Sequence, residues 1–410
     1  MIENIRNYKS IINFNLQQLE KYSLPVAVFF LLISTAVLNI FVLLAVVFTT
    51  AHILYERNFS NLIPKKFMLY GLLIFLFLFM SLYFTTGDTE SIISSLKKYV
   101  KFLYIPILYI YIKRNNNADL IIKYFILGGI LVLLLSYLKY FELLNLNSIY
   151  EYYNMNLVGA ISRAPVFQTS IIHGSVFSFI AYLSIFRAKN NNNKWLYLLS
   201  ILCMINIFFM NDSRNSYIIS LLLIFLILYY QFYKIKYLVT TLSLLLAFTL
   251  FLTPLAKNLT QSVYDTKNDI NLLFNENYTS SIGLRTLWIS IGVQNIKSEP
   301  ILGHGVGSYK NLVKEFINKN EIDVRHNLAI SNNPHNEFIS ISSQLGLFGL
   351  ILYILFLYSL FKESNKKFLA LGVFTIISVS SFFNSALYDN VFGLFIIIIL
   401  SLVYQDKFLE

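Results

Sequence analysis

The chain has 410 residues, of which 57% are hydrophobic and only 13% charged, about half the charged share of an ordinary soluble domain. That balance excludes a soluble globular fold, because apolar runs of about 16 to 20 residues, the length that crosses a bilayer, recur from Leu24 to Tyr404. The net charge of +11 does not mark a nucleic-acid binder, since Lys and Arg sit in short clusters between apolar runs and form no continuous patch or Arg-rich tail.

The first 23 residues are mixed polar and lack an Ala-x-Ala-like site, so no cleavable signal is expected. Ile5, Tyr8, Ile12, Leu16, Leu19 and Tyr22 recur at helical spacing between Arg6, Lys9, Gln17 and Lys21, the pattern of an amphipathic helix on a membrane face. Twelve apolar runs follow, at 24–39, 40–55, 68–86, 99–112, 120–138, 169–186, 195–211, 215–233, 237–254, 336–360, 368–385 and 390–405. Each reads as a membrane span, with the first two divided near Asn39. This division places the short basic clusters at every second connection: Arg57, Lys65 and Lys66; Lys113 and Arg114; Arg187, Lys189 and Lys194; Lys234 and Lys236; Lys362, Lys366 and Lys367. By the positive-inside rule those connections and both termini are cytoplasmic. The segment from Ala256 to Pro334 carries eight Lys/Arg and seven Asp/Glu, nearly neutral and free to be translocated.

The fold expected is an all-α polytopic integral membrane protein with twelve transmembrane helices and one large external loop containing short helices. Its predicted parts are a cytoplasmic amphipathic segment at 1–23, spans one to nine at 24–254, the external loop at 255–335, spans ten to twelve at 336–405 and a cytoplasmic tail at 406–410. The one cysteine, Cys203, lies within an apolar run, so no intramolecular disulfide can form. No internal repeat is evident, and the spans hold almost no ionisable residue near their centres; both points count against a transporter. Chemistry is therefore expected at the outer face, where Arg163, Arg214, Arg285, His304, Arg325, His326 and His335 fall, with His173 just inside the outer end of its span. His52, near the cytoplasmic end of its span, reads as an interfacial residue.

The sharpest segment is Asn333-Pro334-His335-Asn336-Glu337-Phe338, running into Gln344-Leu345-Gly346-Leu347-Phe348-Gly349. On a regular helix Gly346 would lie about 20° around and about 16 Å along from His335, with Ser342 and Gly349 on the same stripe. Gly346 and Gly349 would then serve close helix packing, and His335 is either an interfacial cap or a reactive group held by that packing. Asp212-Ser213-Arg214-Asn215 opens another span with a cap, Asp212 or Ser213, followed by an arginine, which suits an anion or a lipid headgroup. Ser280 to Arg285 begins a short helix with Leu287, Trp288, Ile291 and Ile296 on its apolar side and Pro300 beyond its end. Gly303-His304-Gly305-Val306-Gly307 reads as a flexible turn, because the strand, helix and acidic residue of a dinucleotide fold are missing. Asp323, His326, His335 and Glu337 match no zinc spacing, and Gly-x-Ser-x-Gly is absent.

His335-Asn336, nine residues, then Gly346-Leu347-Phe348-Gly349 resembles the motif of the O-antigen ligases, within the wider O-antigen ligase and polymerase superfamily. The resemblance extends through Ser213-Arg214, Arg285-Thr286-Leu287-Trp288 and Pro300 to Gly305. It implies a glycosyltransferase of lipopolysaccharide biosynthesis in the bacterial inner membrane, with its active site on the periplasmic face. Such an enzyme moves a finished glycan from undecaprenyl pyrophosphate to a sugar hydroxyl of lipid A-core, with no metal, nucleotide or nucleic acid involved. By the same resemblance His335 is the general base, Arg214 and Arg285 bind the pyrophosphate, and Asn336, Gly346 and Gly349 are motif or packing residues. Glu337, Arg163, Arg325, His326 and His173 are secondary candidates, Glu337 to orient His335 or bind sugar. An O-antigen or capsule polymerase, a protein O-oligosaccharyltransferase and a lipid-linked glycan transporter are the alternatives.

Overall fold

A computed structural model of the chain describes residues 17–56, 65–144, 165–231, 257–274, 280–320, 330–364 and 367–405. The regular elements among the described residues are all helical. They are α1 (residues 17–29), α2 (Thr35–Glu56), α3 (Lys66–Met80), α4 (Thr89–Tyr99), α5 (Lys101–Asn115), α6 (Ala118–Tyr140), α7 (Ser170–Asn191), α8 (Lys194–Ile205), α9 (Arg214–Gln231), α10 (Lys257–Phe274), α11 (Ser281–Ser298), α12 (Tyr309–Lys319), α13 (Glu337–Ser364), α14 (Phe368–Phe383) and α15 (Asn390–Val403). Among them, α2, α3 with the turn that follows it, α6, α7 and α13 are long and apolar enough to cross a membrane. Four shorter apolar helices, α8 with its extension to Met210, α9, α14 and α15, accompany them. This is a helical membrane protein. The apolar run at 237–254 lies outside the described residues.

The break between the first two apolar runs is displaced from the predicted position. Asn39 continues α2, its side-chain amide donating to Thr35 O at 2.7 Å. The chain turns instead at residues 30–34, where Ser34 Oγ accepts from Val37 N and its carbonyl from Leu38 N, starting α2. Of the segment expected at 1–23, residues 17–23 are described and run into α1 without a boundary. There Glu20 takes Arg114 at 2.6 Å, and the hydroxyl of Tyr111 donates to the Glu20 carbonyl, so this helix is tied to the end of α5.

Burial ranks the helices. Every side chain from Val391 to Val403 in α15 is buried, so it lies within the bundle, as a helix apolar on all sides must. α15 packs on α5, α3 on α13, α7 on both α8 and α9, and α14 on α13 and α9. Side-chain caps hold several helix starts: Asp88 for α4, Asn193 for α8, Ser280 for α11 and Asp389 for α15. Ser213 Oγ accepts from Ser216 N at 3.3 Å and caps α9, choosing between the two expected cap residues.

The long loop has a small core of its own. Leu287, Trp288 and Ile291 from α11 pack with Tyr309 and Val313 from α12, as the apolar side read from the sequence requires. α11 also lies on the start of α13, closely enough that a Cβ at Gly292 would stand 2.2 Å from Ile339 Cγ2.

Within α13 the helix is interrupted at Gly346, whose φ of 60° and ψ of −153° belong to a region open essentially only to glycine. The regular stripe expected from His335 through Gly349 therefore ends at this residue. A helical periodicity assumes continuous backbone, and here the backbone hydrogen bonds pass to another segment. His304 N donates to Ser343 O at 3.0 Å, Gly305 N to Gln344 O at 2.9 Å and Leu347 N to Pro300 O at 2.8 Å. Val306 N reaches Ser81 Oγ, Thr85 Oγ1 reaches Val306 O, and Gly307 N reaches Gln344 Oε1. The expected flexible turn is thus a loop clamped between the end of α3 and the break in α13. Non-helical backbone in an apolar setting survives only where protein groups satisfy it, as these do.

Candidate functional site

His335 stands just before α13 with a left-handed backbone, φ 51°, which its N–H stabilises by donating to Asn333 Oδ1 at 2.9 Å. Three consecutive residues then each bond to the end of α14 and the connection beyond it. Nδ1 of His335 lies 3.1 Å from Asn384 Oδ1. The side-chain amide of Asn336 donates to Phe382 O at 3.0 Å, while its oxygen caps α13 by accepting from Ile339 N. Leu387 N donates to Glu337 Oε2 at 2.9 Å. The segment is stitched to its neighbour at residues 382, 384 and 387, which fixes where the imidazole can stand.

One face of that imidazole is covered by Trp288 of α11, with ring centroids 4.9 Å apart and planes 28° apart. Arg285, one turn earlier on the same helix, is near enough for its charge to act on His335. Burial, chiefly, and the Arg285 guanidinium push the His335 pKa below its ordinary value, against the opposing pull of Asn384 and of Asp389. The ring is therefore neutral near pH 7. Arg285 is itself lowered by burial and by the charge of Arg214, which places the two guanidiniums in one electrostatic neighbourhood. Arg214, first in α9, is held by Asp269 of α10 through Nη1 at 3.3 Å and Nη2 at 3.4 Å. Helices distant in sequence thus bring Arg285 near His335, with Arg214 near enough for its charge to act on Arg285.

The other expected residues divide. Glu337 is fully buried and accepts from Tyr99 and Leu387, so it neither orients His335 directly nor faces open space for a sugar. His173 is 1% exposed, with Nε2 at 2.9 Å from Asn206 Oδ1, inside the bundle. His304 places Nε2 by Ser298 Oγ and Asn295 O and so closes the end of α11. Gly346 makes the break, where a Cβ would stand 2.2 Å from Ile301 O, and Gly349 follows it, packed on Leu345. Arg163, Arg325 and His326 lie outside the described residues, as does Asp323. Among the described residues no group of three or more His, Cys, Asp and Glu side chains is placed to hold a metal ion.

Sequence reading missed Asn384, Asp269 and the stacking role of Trp288. Trp288 was placed on the apolar side of its helix, which signals burial but not the partner. Asn384 and Asp269 carried no local signal, because their partners are 49 and 55 residues away in the chain.

Residues 199–354 match the model of the family described as O-antigen ligase. The resemblance read from the motif is borne out over this segment, which holds Arg214, Arg285, His335, Gly346 and Gly349 and leaves Asn384 beyond its end. No curated protein matches the chain.

Proposed function

With residues 199–354 an O-antigen ligase family segment, we propose that the protein transfers O-antigen glycan from undecaprenyl pyrophosphate to a sugar hydroxyl of lipid A-core, at the periplasmic face of the bacterial inner membrane. The observation that supports this reading is His335 held between Asn384 and Trp288, with Arg285 one turn from that tryptophan on the same helix and Arg214 within reach of the Arg285 charge. The donor is an activated glycosyl diphosphate, so two tasks remain for the protein. One is to accept the acceptor's proton, which an imidazole held neutral at pH 7 can do. The other is to stabilise the diphosphate as it departs, which guanidinium forks do with bidentate geometry.

The step balances as a single displacement. The acceptor oxygen forms a bond to the anomeric carbon while the bond from that carbon to the diphosphate oxygen breaks, and its electron pair leaves with undecaprenyl pyrophosphate. The hydroxyl proton passes to His335. Attack from the side opposite the leaving group inverts the anomeric centre. The negative charge gained by the diphosphate develops beside Arg214 and Arg285, so at the leaving group the cations stabilise the transition state more than the ground state. No metal or nucleotide enters this scheme.

A polymerase would use the same donor and the same pair of arginines; the spacing from His335 to Gly346 and Gly349 favours the ligase. Deleting the gene separates the two readings. Loss of capped lipopolysaccharide with long polymer accumulating on the lipid carrier is expected. A single repeat left on lipid A-core would instead identify a polymerase, and long polymer still reaching lipid A-core would overturn the ligase reading.

A further inference from the structure

We propose that Asn384 is a positioning residue: its side-chain oxygen holds the His335 imidazole as the Nδ1–H tautomer and so presents Nε2 as the basic nitrogen. The inference rests on the reading of His335 as the base. Nδ1 and Asn384 Oδ1 are 3.1 Å apart, and among the described residues this is the hydrogen bond of the ring. A neutral imidazole has one N–H; with Oδ1 as acceptor the proton sits on Nδ1 and the lone pair on Nε2. A base oriented by a third group is the general logic of such sites.

What makes Asn384 more than a neighbour is the bracing on both sides of it. Asn336 to the Phe382 carbonyl and Glu337 to the Leu387 amide flank the pair in register. The connection is further held by Asp389 N to Ser385 O at 3.0 Å and by the Lys101 ammonium on the Asp389 carbonyl. Asn384 itself is extended, φ −155° and ψ 158°, with its N–H on Ser380 O at 2.7 Å. With its backbone secured, the half-buried Asn384 side chain reaches the ring through Oδ1, and Trp288 covers one face of the imidazole. The buried Glu337 thereby acts on His335 through the connection it anchors.

The test uses full-length protein in lipid nanodiscs, with 15N-labelled histidine spectra for the tautomer and transfer kinetics on an undecaprenyl-pyrophosphate-linked glycan. His335 should report the Nδ1–H form in the native protein. Asn384→Ala should mix the tautomers and lower kcat about ten- to a hundredfold, with KM for the donor little changed. Asn384→Asp, if expressed and folded, should keep the tautomer and move the acid limb of the pH profile up by about one unit, since it adds a negative charge against a ring otherwise faced by Arg285 and Asp389. A native tautomer with native kcat in Asn384→Ala overturns the proposal, as does an Asn384→Asp profile that does not move. Full transfer by His335→Ala would instead overturn the reading of the base, while the spectra would still decide whether Asn384 sets the tautomer.

Discussion

Two histidines in this molecule keep nearly the same company. His173 sits beside Asn206 Oδ1 at 2.9 Å and against Phe177, ring centroids 4.5 Å apart; His335 sits beside Asn384 Oδ1 at 3.1 Å and against Trp288 at 4.9 Å. Each asparagine marks the end of a regular helix, Asn206 where α8 passes into a π turn and Asn384 where α14 stops. The difference is in what surrounds them. Asn206 continues inward to Ser136 Oγ, and His173 is sealed in the bundle, whereas His335 is partly exposed and stands beside Arg285. A hydrogen-bonded histidine is therefore not evidence of chemistry by itself, and neither is a nearby cation, since the charge of Lys139 acts on His173 as that of Arg285 acts on His335; access separates the two.

The largest effect that tests this contrast is on transfer. His335→Ala is expected to lose about 10²- to 10⁴-fold in rate while the protein folds normally. His173→Ala should instead keep the rate in whatever protein folds and lower stability by about 2 to 4 kcal/mol, from the lost packing and the unpaired Asn206. Single-turnover transfer and thermal unfolding measured on both variants decide the matter, and the opposite pairing of effects would abolish the distinction.

Next come the cations. Arg285→Ala and Arg214→Ala should each cost about 10²- to 10³-fold in kcat/KM. Lysine should restore little of this, because the fork geometry is lost. Rates within twofold of native would show that proximity to His335 has no bearing on the reaction.

A stability effect of about 2 kcal/mol or more is expected for Gly346→Ala, read from detergent unfolding, since alanine meets both a forbidden backbone region and the Ile301 carbonyl. The smallest effect concerns pH. His335 is shifted below its ordinary value of 6.5, so the neutral ring's contribution is fully present above that pH and falls away as pH drops through the lowered value. The acid limb of transfer should accordingly lie below pH 6.5, and Arg285→Gln, which removes a neighbouring positive charge, should raise the His335 titration seen by NMR. A titration unmoved or lowered would place Arg285 out of range of the ring.

Much of this arrangement was legible in advance, for reasons that differ by residue. The apolar runs located most of the described helices because bilayer length is a strong constraint on composition. His335 was singled out by its motif spacing, Arg214 and Arg285 by the resemblance that the motif opened, and α11 by its apolar side, which buries Leu287, Trp288 and Ile291 as expected. The division near Asn39 was misplaced because the parity of the basic clusters calls for a break without locating it, and Asn39 stays helical by bonding back to the carbonyl four residues earlier. The break at Gly346 was hidden for a related reason: helical periodicity describes an unbroken helix and does not announce a glycine about to leave it. Asn384 belongs to a connection whose significance exists only once α13 and α14 lie side by side.

The clamped loop has a consequence for length. Its amides and carbonyls between Pro300 and Gly307 complete the hydrogen bonding of α13 around Gly346, and they also engage Ser81 and Thr85. One residue inserted there would slide the pairings on one side of it by about 3.3 Å, beyond hydrogen-bond reach. Connections between helices are ordinarily where a chain absorbs insertions. This one is a spacer of fixed gauge between Arg285 and His335, so a single added residue is expected to silence the site without touching any side chain in it.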